Sequence, residues 1–236
     1  MSTGHLHLLP VGLGPSDIAA SHPAKALAQM DALDYFIVEK AKTARAELKR
    51  MGYSHPIQTA EIHELPEKLD RTAIDALLAP LVAGRDGGLM SEAGCPAVAD
   101  PGALVVRRAH ELGINVIPHV GPSSLLLALM ASGLNGQSFA FHGYLPQKPD
   151  ERTQAIRQLE KESAKLQRTQ LFIETPYRNM AMLESLLASC APTTLICVAR
   201  ALTSQNEWVC TRSVAAWKKN GLPDLDRQPT VFLLLA

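Results

Sequence analysis

The residues best placed to do chemistry crowd into one stretch, LMSEAGCPAVADPG at 89–102, where an apolar run meets Glu92 and then glycine, proline, Cys95 and Asp100 in quick succession. Small residues at the end of a strand let a ligand come close to the backbone, because nothing beyond Cα stands in the way. Two further stretches, PVGLGPSD at 10–17 and HVGPSS at 119–124, repeat the pattern. Any one of them reads as an ordinary tight turn, but three together point to a small-ligand site at the carboxyl ends of neighbouring strands.

Other chemistries find less support. Gly12 and Gly14 give the start of a dinucleotide fingerprint, but proline stands where the helix should begin and the third glycine is missing. No lysine follows in the manner of a P-loop, so nucleoside triphosphate hydrolysis is not indicated. His5 and His7 share one strand face, yet the sequence places no other histidine or acid to complete a site, and no metal is expected. Cys95 reads as a small buried thiol rather than a nucleophile with an activating base. Lys40, Lys42, Arg45, Lys49 and Arg50 form the densest basic run. Three of them, Lys42, Arg45 and Lys49, can share a helix face and reach phosphates.

The 236 residues suffice for one large domain or two modest ones. Hydrophobic residues make up 47% and charged residues 19%, which fits a folded protein rather than a disordered one. Basic and acidic residues balance at 23 each, so any nucleic-acid contact must rest on a local patch. The four cysteines form no C-x-x-C pair and read as reduced thiols. No apolar run reaches the roughly 20 residues of a membrane span, and the start lacks a signal-peptide pattern; a cytoplasmic protein without membrane contact is expected.

These residues need elements to position them. In the first half, strands are expected at 6–11, 34–40, 87–92 and 114–118, alternating with helices at 23–30, 42–52 and 67–83. Asp100 before Pro101 reads as a helix start, the aspartate capping a helix that runs to Gly113. After an expected boundary at LNGQS, strands at 139–145, 169–175, 193–202, 207–213 and 229–236 are mixed with helices. The fold class is α/β with two domains, 1–136 carrying a mostly parallel sheet and 137–236 a mixed sheet, and a ligand cleft is expected between them.

In order and spacing along nearly the whole chain, PVGLGPSD, SEAGCPAVADPG, IPHVGPSSLLLALMASGL, FHGYLPQK, FIETPYRNMAML, VARALT and PTVFLLL resemble the tetrapyrrole methylase superfamily of S-adenosylmethionine-dependent methyltransferases. The run at 94–102, GYLPQK and the ET-x-x-R at 174–178 are most similar to the branch that methylates a cytidine ribose 2′-hydroxyl in small-subunit ribosomal RNA. The resemblance implies S-adenosylmethionine as cofactor, in the interdomain cleft. Pro15, Ser91, Glu92, Ala93, Gly94, Cys95, Ser123 and Ser124 would be its loop contacts, with Ile173, Glu174, Ala201, Leu202, Pro229 and Thr230 closing over the adenosine. It further implies a homodimer acting on small-subunit RNA.

A ribose hydroxyl must lose its proton as it attacks, so a carboxylate is needed nearby. Glu39 and Glu174 are the candidate catalytic residues, and Lys42, Arg45 and Arg178 the candidate substrate contacts. Arg178 could equally pair with Glu174. The chain departs from the branch at Lys40 and Ala41, where a second acid and a threonine are expected, and at Ala201 and Ser204, where an acid and a lysine are expected. Two alternatives follow: carbon methylation of a tetrapyrrole, or a cofactor-binding relative that has lost catalysis.

Overall fold

The structure, a computed structural model, describes residues 3–15 and 17–236; Ser16 of the first loop lies outside them. The chain divides into two compact units, Met1–Ser123 and Ser124–Ala236.

The first unit is built on five parallel strands in the order β3-β2-β4-β1-β5. They are β1 (His5–Leu8), β2 (Tyr35–Val38), β3 (Glu61–Glu64), β4 (Gly87–Met90) and β5 (Asn115–Pro118). Between them run α1 (Ile18–Ser21), α2 (Ala24–Asp31), α3 (Ala41–Arg50), α4 (Arg71–Val82) and α5 (Ala103–Glu111). All of β2, YFIV, is buried, as a central parallel strand covered on both faces must be. Alternation along it separates two cores. Tyr35 and Ile37 join Leu6, Leu78, Val105 and Ile114 on the side of α4 and α5. Phe36 and Val38 join Leu9, Met30, Leu48 and Met90 on the side of α2 and α3.

The second unit has the order β6-β7-β10-β8-β9, with β6 and β7 parallel and the other neighbours antiparallel. Its elements are α6 (Ser124–Ser132), β6 (Phe139–Tyr144), α7 (Pro149–Leu166), β7 (Thr169–Ile173), α8 (Asn179–Ser189), β8 (Leu195–Arg200), β9 (Trp208–Ser213), α9 (Val214–Asn220) and β10 (Thr230–Leu235). Proline in the first turn of α7, with Asp150 and Glu151 beside it and Lys165 in the last turn, matches the helix dipole at both ends. Phe172 and Phe232 stack in the core, with ring centroids 5.9 Å apart. The buried Trp217 donates its indole N–H to the Ile196 carbonyl at 2.9 Å, which satisfies the polar end of a large apolar group.

The α/β class and the two sheets match the expectation. The apolar helix α6 packs on β8, β9 and β10 and so groups with the second compact unit. Three elements were not expected: α1, α9 and β3. Glu61–Glu64 has the sequence EIHE, and it is strand because it pairs in register with all four residues of β2, not because of its own propensity. All four cysteines are free. Among the described residues no helix is long and apolar enough to cross a membrane.

Candidate active site

The three small-residue loops follow β1, β4 and β5, and they bind one another. Val11 and Gly94 exchange backbone hydrogen bonds of 2.9 and 3.2 Å, forming an isolated antiparallel bridge. Cys95 donates its thiol to the Pro122 carbonyl at 3.5 Å, and burial raises its pKa, so it is no poised nucleophile. The glycines serve this mutual contact. Gly94 has φ +73°, and a side-chain carbon there would stand 3.2 Å from Leu13. At Gly121 a Cβ would lie 2.3 Å from the Cβ of Pro10, a ring with no freedom to withdraw. Close approach between loops is therefore what these glycines demonstrably permit. Gly121→Ala is expected to cost about 1–3 kcal/mol of stability by overpacking. Gly14→Ala, with nothing within 4 Å of the added carbon, should change stability by less than about 0.5 kcal/mol; urea denaturation of both variants checks the contrast.

Ala97 and Ala99, both with φ 66°, hold left-handed conformations between the two glycines of the 89–102 loop, Gly94 and Gly102. Each costs on the order of 1–2 kcal/mol for a residue with a side chain. Strain of that size persists only where the surroundings impose it.

Glu39 follows β2 and enters the same neighbourhood. Its Oε2 accepts the backbone N–H of Glu92 at 3.2 Å, while its Oε1 is buried without a hydrogen-bond partner. Burial, followed by the negative charge of Asp100, raises its pKa from the ordinary 4.5 to about 7. Asp100, which reads in the sequence as a helix cap, is thus a close neighbour of Glu39. The helix α5 begins at Ala103 with Gly102 as its N-cap and no side-chain cap, so Asp100 does not cap it. The departures beside Glu39 also acquire a geometry. Lys40 Nζ lies 3.1 Å from Glu92 Oε2, and the Thr43 hydroxyl donates to Glu92 Oε1 at 3.1 Å. Ala41 starts α3, its N–H donating to Glu64 at 2.6 Å. On the exposed face of α3, the side chains of Lys42, Arg45 and Lys49 make no hydrogen bond or ion pair among the described residues.

In the second unit, pairing brings a second group together. The registers Val231 with Ile173 and Thr230 with Arg200 set the ends of β7, β10 and β8 side by side. Ile173, Glu174, Ala201, Leu202, Pro229 and Thr230 therefore gather at one end of the three central strands. Ala201 donates its N–H to the Pro229 carbonyl at 2.8 Å, and Ser204 closes the turn with an N–H to the Ala201 carbonyl at 3.0 Å. Ala201 (φ 48°) and Thr203 (φ 67°) are again left-handed. Glu174 is 5% exposed, and its Oε1 accepts from Thr175 N at 2.6 Å, Thr175 Oγ1 at 3.1 Å, and Arg178 Nε and a terminal guanidinium nitrogen at 3.0 and 2.7 Å. Arg178 is thus the partner of Glu174. Asn179 donates to Thr230 Oγ1 at 3.1 Å and to the Gln228 carbonyl at 2.6 Å. Four buried polar atoms here, Glu174 Oε2, Asn179 Oδ1, Thr203 Oγ1 and Arg200 Nε, lack a partner. Asn179 and Thr203 were missed by the sequence reading; the one signal was a polar residue opening the apolar helix NMAMLESLLAS.

Of the remaining expected contacts, Ser91 is buried at the end of β4, Ala93 and Pro15 are exposed in their loops, Ser123 ends the third loop, and Ser124 begins α6 in the second unit. The residues fit a cofactor rich in hydroxyl and amino groups. Buried acceptors without partners need donors, and the strained loops expose backbone groups for them.

Two α/β units, one parallel sheet and one mixed sheet, with glycine-broken strand ends, define a class of fold seen in methyltransferases. The methyltransferase CobJ superposes with a TM-score of 0.64 at 18% identity, covering 99% of this chain and 94% of that one. Uroporphyrin-III-C-methyltransferase from Thermus thermophilus gives a TM-score of 0.52 at 20% identity, covering 98% and 92%. The family described as Tetrapyrrole (Corrin/Porphyrin) Methylases matches residues 6–216, and the chain belongs to it. Among curated relatives, ribosomal RNA small subunit methyltransferase I of Escherichia coli O157:H7 is 31% identical over 92% of this chain and 73% of its own length. The protein of that name from Xylella fastidiosa (strain Temecula1) is 31% identical over 100% and 82%. The Synechocystis protein of that name is 38% identical over a shorter stretch, 56% of this chain and 46% of its own. The chain is a methyltransferase of the S-adenosylmethionine-dependent class.

Proposed function

We propose that this methyltransferase transfers a methyl group from S-adenosylmethionine to a ribose 2′-hydroxyl of cytidine in small-subunit ribosomal RNA, with Glu39 as the general base. The observation that carries the reading is the half-buried Glu39 carboxyl, raised to about 7, beside the family's glycine loops. The names of the curated relatives support RNA as the acceptor. When bound, S-adenosylmethionine supplies a sulfonium methyl that is already activated. The loops containing Pro15, Ser91 to Cys95 and Ser123, with Ser124, are assigned to its amino-acid portion. Glu174, Ala201, Leu202, Pro229 and Thr230 are assigned to its adenosine, together with Ile173.

What the chain must add is alignment and a proton acceptor. Holding nucleophile and methyl in line is worth roughly 7–11 kcal/mol. A carboxyl with pKa near 7 is ionised often enough to accept the hydroxyl proton and basic enough to want it. Tetrapyrrole carbon methylation is not favoured, since the two tetrapyrrole-type neighbours match in fold at low identity while the relatives that match in sequence carry the ribosomal RNA name. Retention of Glu39 with a raised pKa argues against a relative without catalysis.

The test is radiolabelled methyl transfer to small ribosomal subunits from a strain lacking this protein. Incorporation at a single ribose is expected, and none, under conditions where a related enzyme works, sinks the reading. Lys42, Arg45 and Lys49 are assigned to phosphate contacts. Replacing each with alanine should weaken RNA binding and reduce the slope of log affinity against log salt by about 0.7–0.9 per lost contact; filter binding across a salt series reads it. A cytoplasmic homodimer completes this reading, and sedimentation equilibrium checks the dimer.

A further inference from the structure

The face of the first sheet that carries α2 and α3 holds a second cluster, which touches the loops only through His119 at the start of the third. Leu6 is buried among the residues packed by α4 and α5, and Leu8 packs against the same core, so alternation turns His5 and His7 to the opposite face. Asp86, immediately before β4, accepts the His5 backbone N–H at 2.7 Å, and the same oxygen lies 2.8 Å from His5 Nδ1. His119, immediately after β5, stacks on His7 with centroids 5.2 Å apart and places its Nε2 2.9 Å from His7 Nδ1. One ligand atom from each of His5, His7 and Asp86 lies within 4.8 Å of the others.

His7 is 6% exposed and its Nε2 has no hydrogen-bond partner. The contact with His119 requires one of the two nitrogens to donate. A proton on His7 Nδ1 leaves its Nε2 as a bare lone pair, whereas the other arrangement leaves a buried N–H with no acceptor, which folded proteins rarely tolerate. A buried imidazole with an unpartnered ring nitrogen, grouped with a second imidazole and a carboxylate, is what a metal ion takes.

We propose that His5, His7 and Asp86 bind a divalent transition metal, zinc in the first instance, and that His119 is a positioning residue that fixes the His7 tautomer. Two imidazoles and a carboxylate are a donor set zinc favours, with a fourth position left for water. Ligand atoms around a tetrahedral zinc lie about 3.4 Å apart, so the cluster must close by roughly an ångström. His5 and Asp86, with side chains 44% and 48% exposed, have the freedom to make that movement while His7 is held. Orientation of a liganding imidazole through its other nitrogen is the usual outer-shell arrangement. His5 and Asp86 lie at the amino ends of β1 and β4, whereas the glycine loops follow the carboxyl ends, so the ion clamps strands together and takes no part in methyl transfer.

The test uses the full chain, stripped with chelator and titrated calorimetrically with zinc chloride, and in parallel with cobalt(II) followed by visible absorption. One saturating equivalent is expected, with a four-coordinate cobalt spectrum lacking a thiolate charge-transfer band, and zinc should raise the melting temperature. His5→Ala and Asp86→Asn, both at exposed positions, should each weaken zinc by about 100-fold or more and abolish that rise; circular dichroism confirms that they fold. His119→Phe keeps the stack but removes the acceptor, and should weaken zinc by about 10- to 100-fold. Absence of saturable binding, binding unchanged in both His5→Ala and Asp86→Asn, or a thiolate band placing the ion on cysteine overturns the proposal.

Discussion

Glu39→Gln is expected to lower kcat by about 10²- to 10⁴-fold, the usual range for loss of a general base, while leaving cofactor affinity nearly unchanged. Glutamine keeps the oxygen that accepts the Glu92 N–H, so the loop should hold its shape and the loss should appear in kcat rather than in binding. The native rate should fall tenfold per pH unit below a midpoint near 7, because the protonated carboxyl cannot accept a proton. Asp100→Asn supplies the sharper readout. Removing the like charge that helps to raise Glu39 should move that midpoint downward without abolishing activity. A midpoint that stays in place would remove Asp100 from the site, and an active Glu39→Gln would remove Glu39.

The same group sets a pH dependence of stability. Its folded-state pKa, about 7, lies above the ordinary 4.5, so between those values the folded state holds the additional proton. Stability therefore falls as pH rises through that window. Glu39→Gln should be more stable than the native chain at pH 8, by on the order of 1 kcal/mol after allowing for the solvent that screens a half-exposed carboxyl, and the advantage should vanish near pH 5. Activity and stability then move in opposite directions at one residue, as expected where strain or unpaired charge is kept for function.

Local pattern carried much of this fold into view. The run YFIV and the closing PTVFLLLA are unmistakable strands, and the glycine loops advertise the first unit's candidate site. What local pattern does not encode is which distant segments meet. EIHE becomes a strand only by lying beside β2, where Arg85 also reaches Glu61 and Asp34 at 2.6 and 3.0 Å. Asp100 has the local grammar of a helix cap, yet the helix starts three residues later and the carboxylate is left to act on Glu39, sixty-one positions away in sequence. His5 and His7 read as an incomplete pair because Asp86 and His119 arrive from the segments before β4 and after β5. The resemblance supplied the second unit's positions, and strand register explains why residues as separated as Ile173, Ala201 and Thr230 are neighbours.

Arg178→Ala is expected to destabilise the protein by about 3 kcal/mol or more, because it strips the counter-charge from a carboxylate whose side chain is fully buried. Thr175 would still donate twice to Glu174 Oε1, but no positive charge would remain beside it. The pair is structural if Arg178→Ala/Glu174→Gln recovers most of the loss, since a neutral amide carbonyl can accept the Thr175 hydrogens without needing a cation. A double-mutant cycle by urea denaturation measures that recovery. Glu174 has a second oxygen to distinguish. Oε2 is buried and unpartnered, and under the adenosine assignment it accepts from the cofactor. Glu174→Gln alone presents either an amide N–H₂ or a weaker acceptor there, so S-adenosylhomocysteine affinity should fall by about 5- to 30-fold, the worth of one hydrogen bond to a charged group lost or weakened. Recovery of stability in the double variant without recovery of affinity assigns Oε1 to the fold and Oε2 to the ligand. Affinity unchanged in a stable Glu174→Gln chain would confine the residue to its ion pair and leave adenosine recognition to Asn179, Thr203 and the backbone of the Ala201 turn.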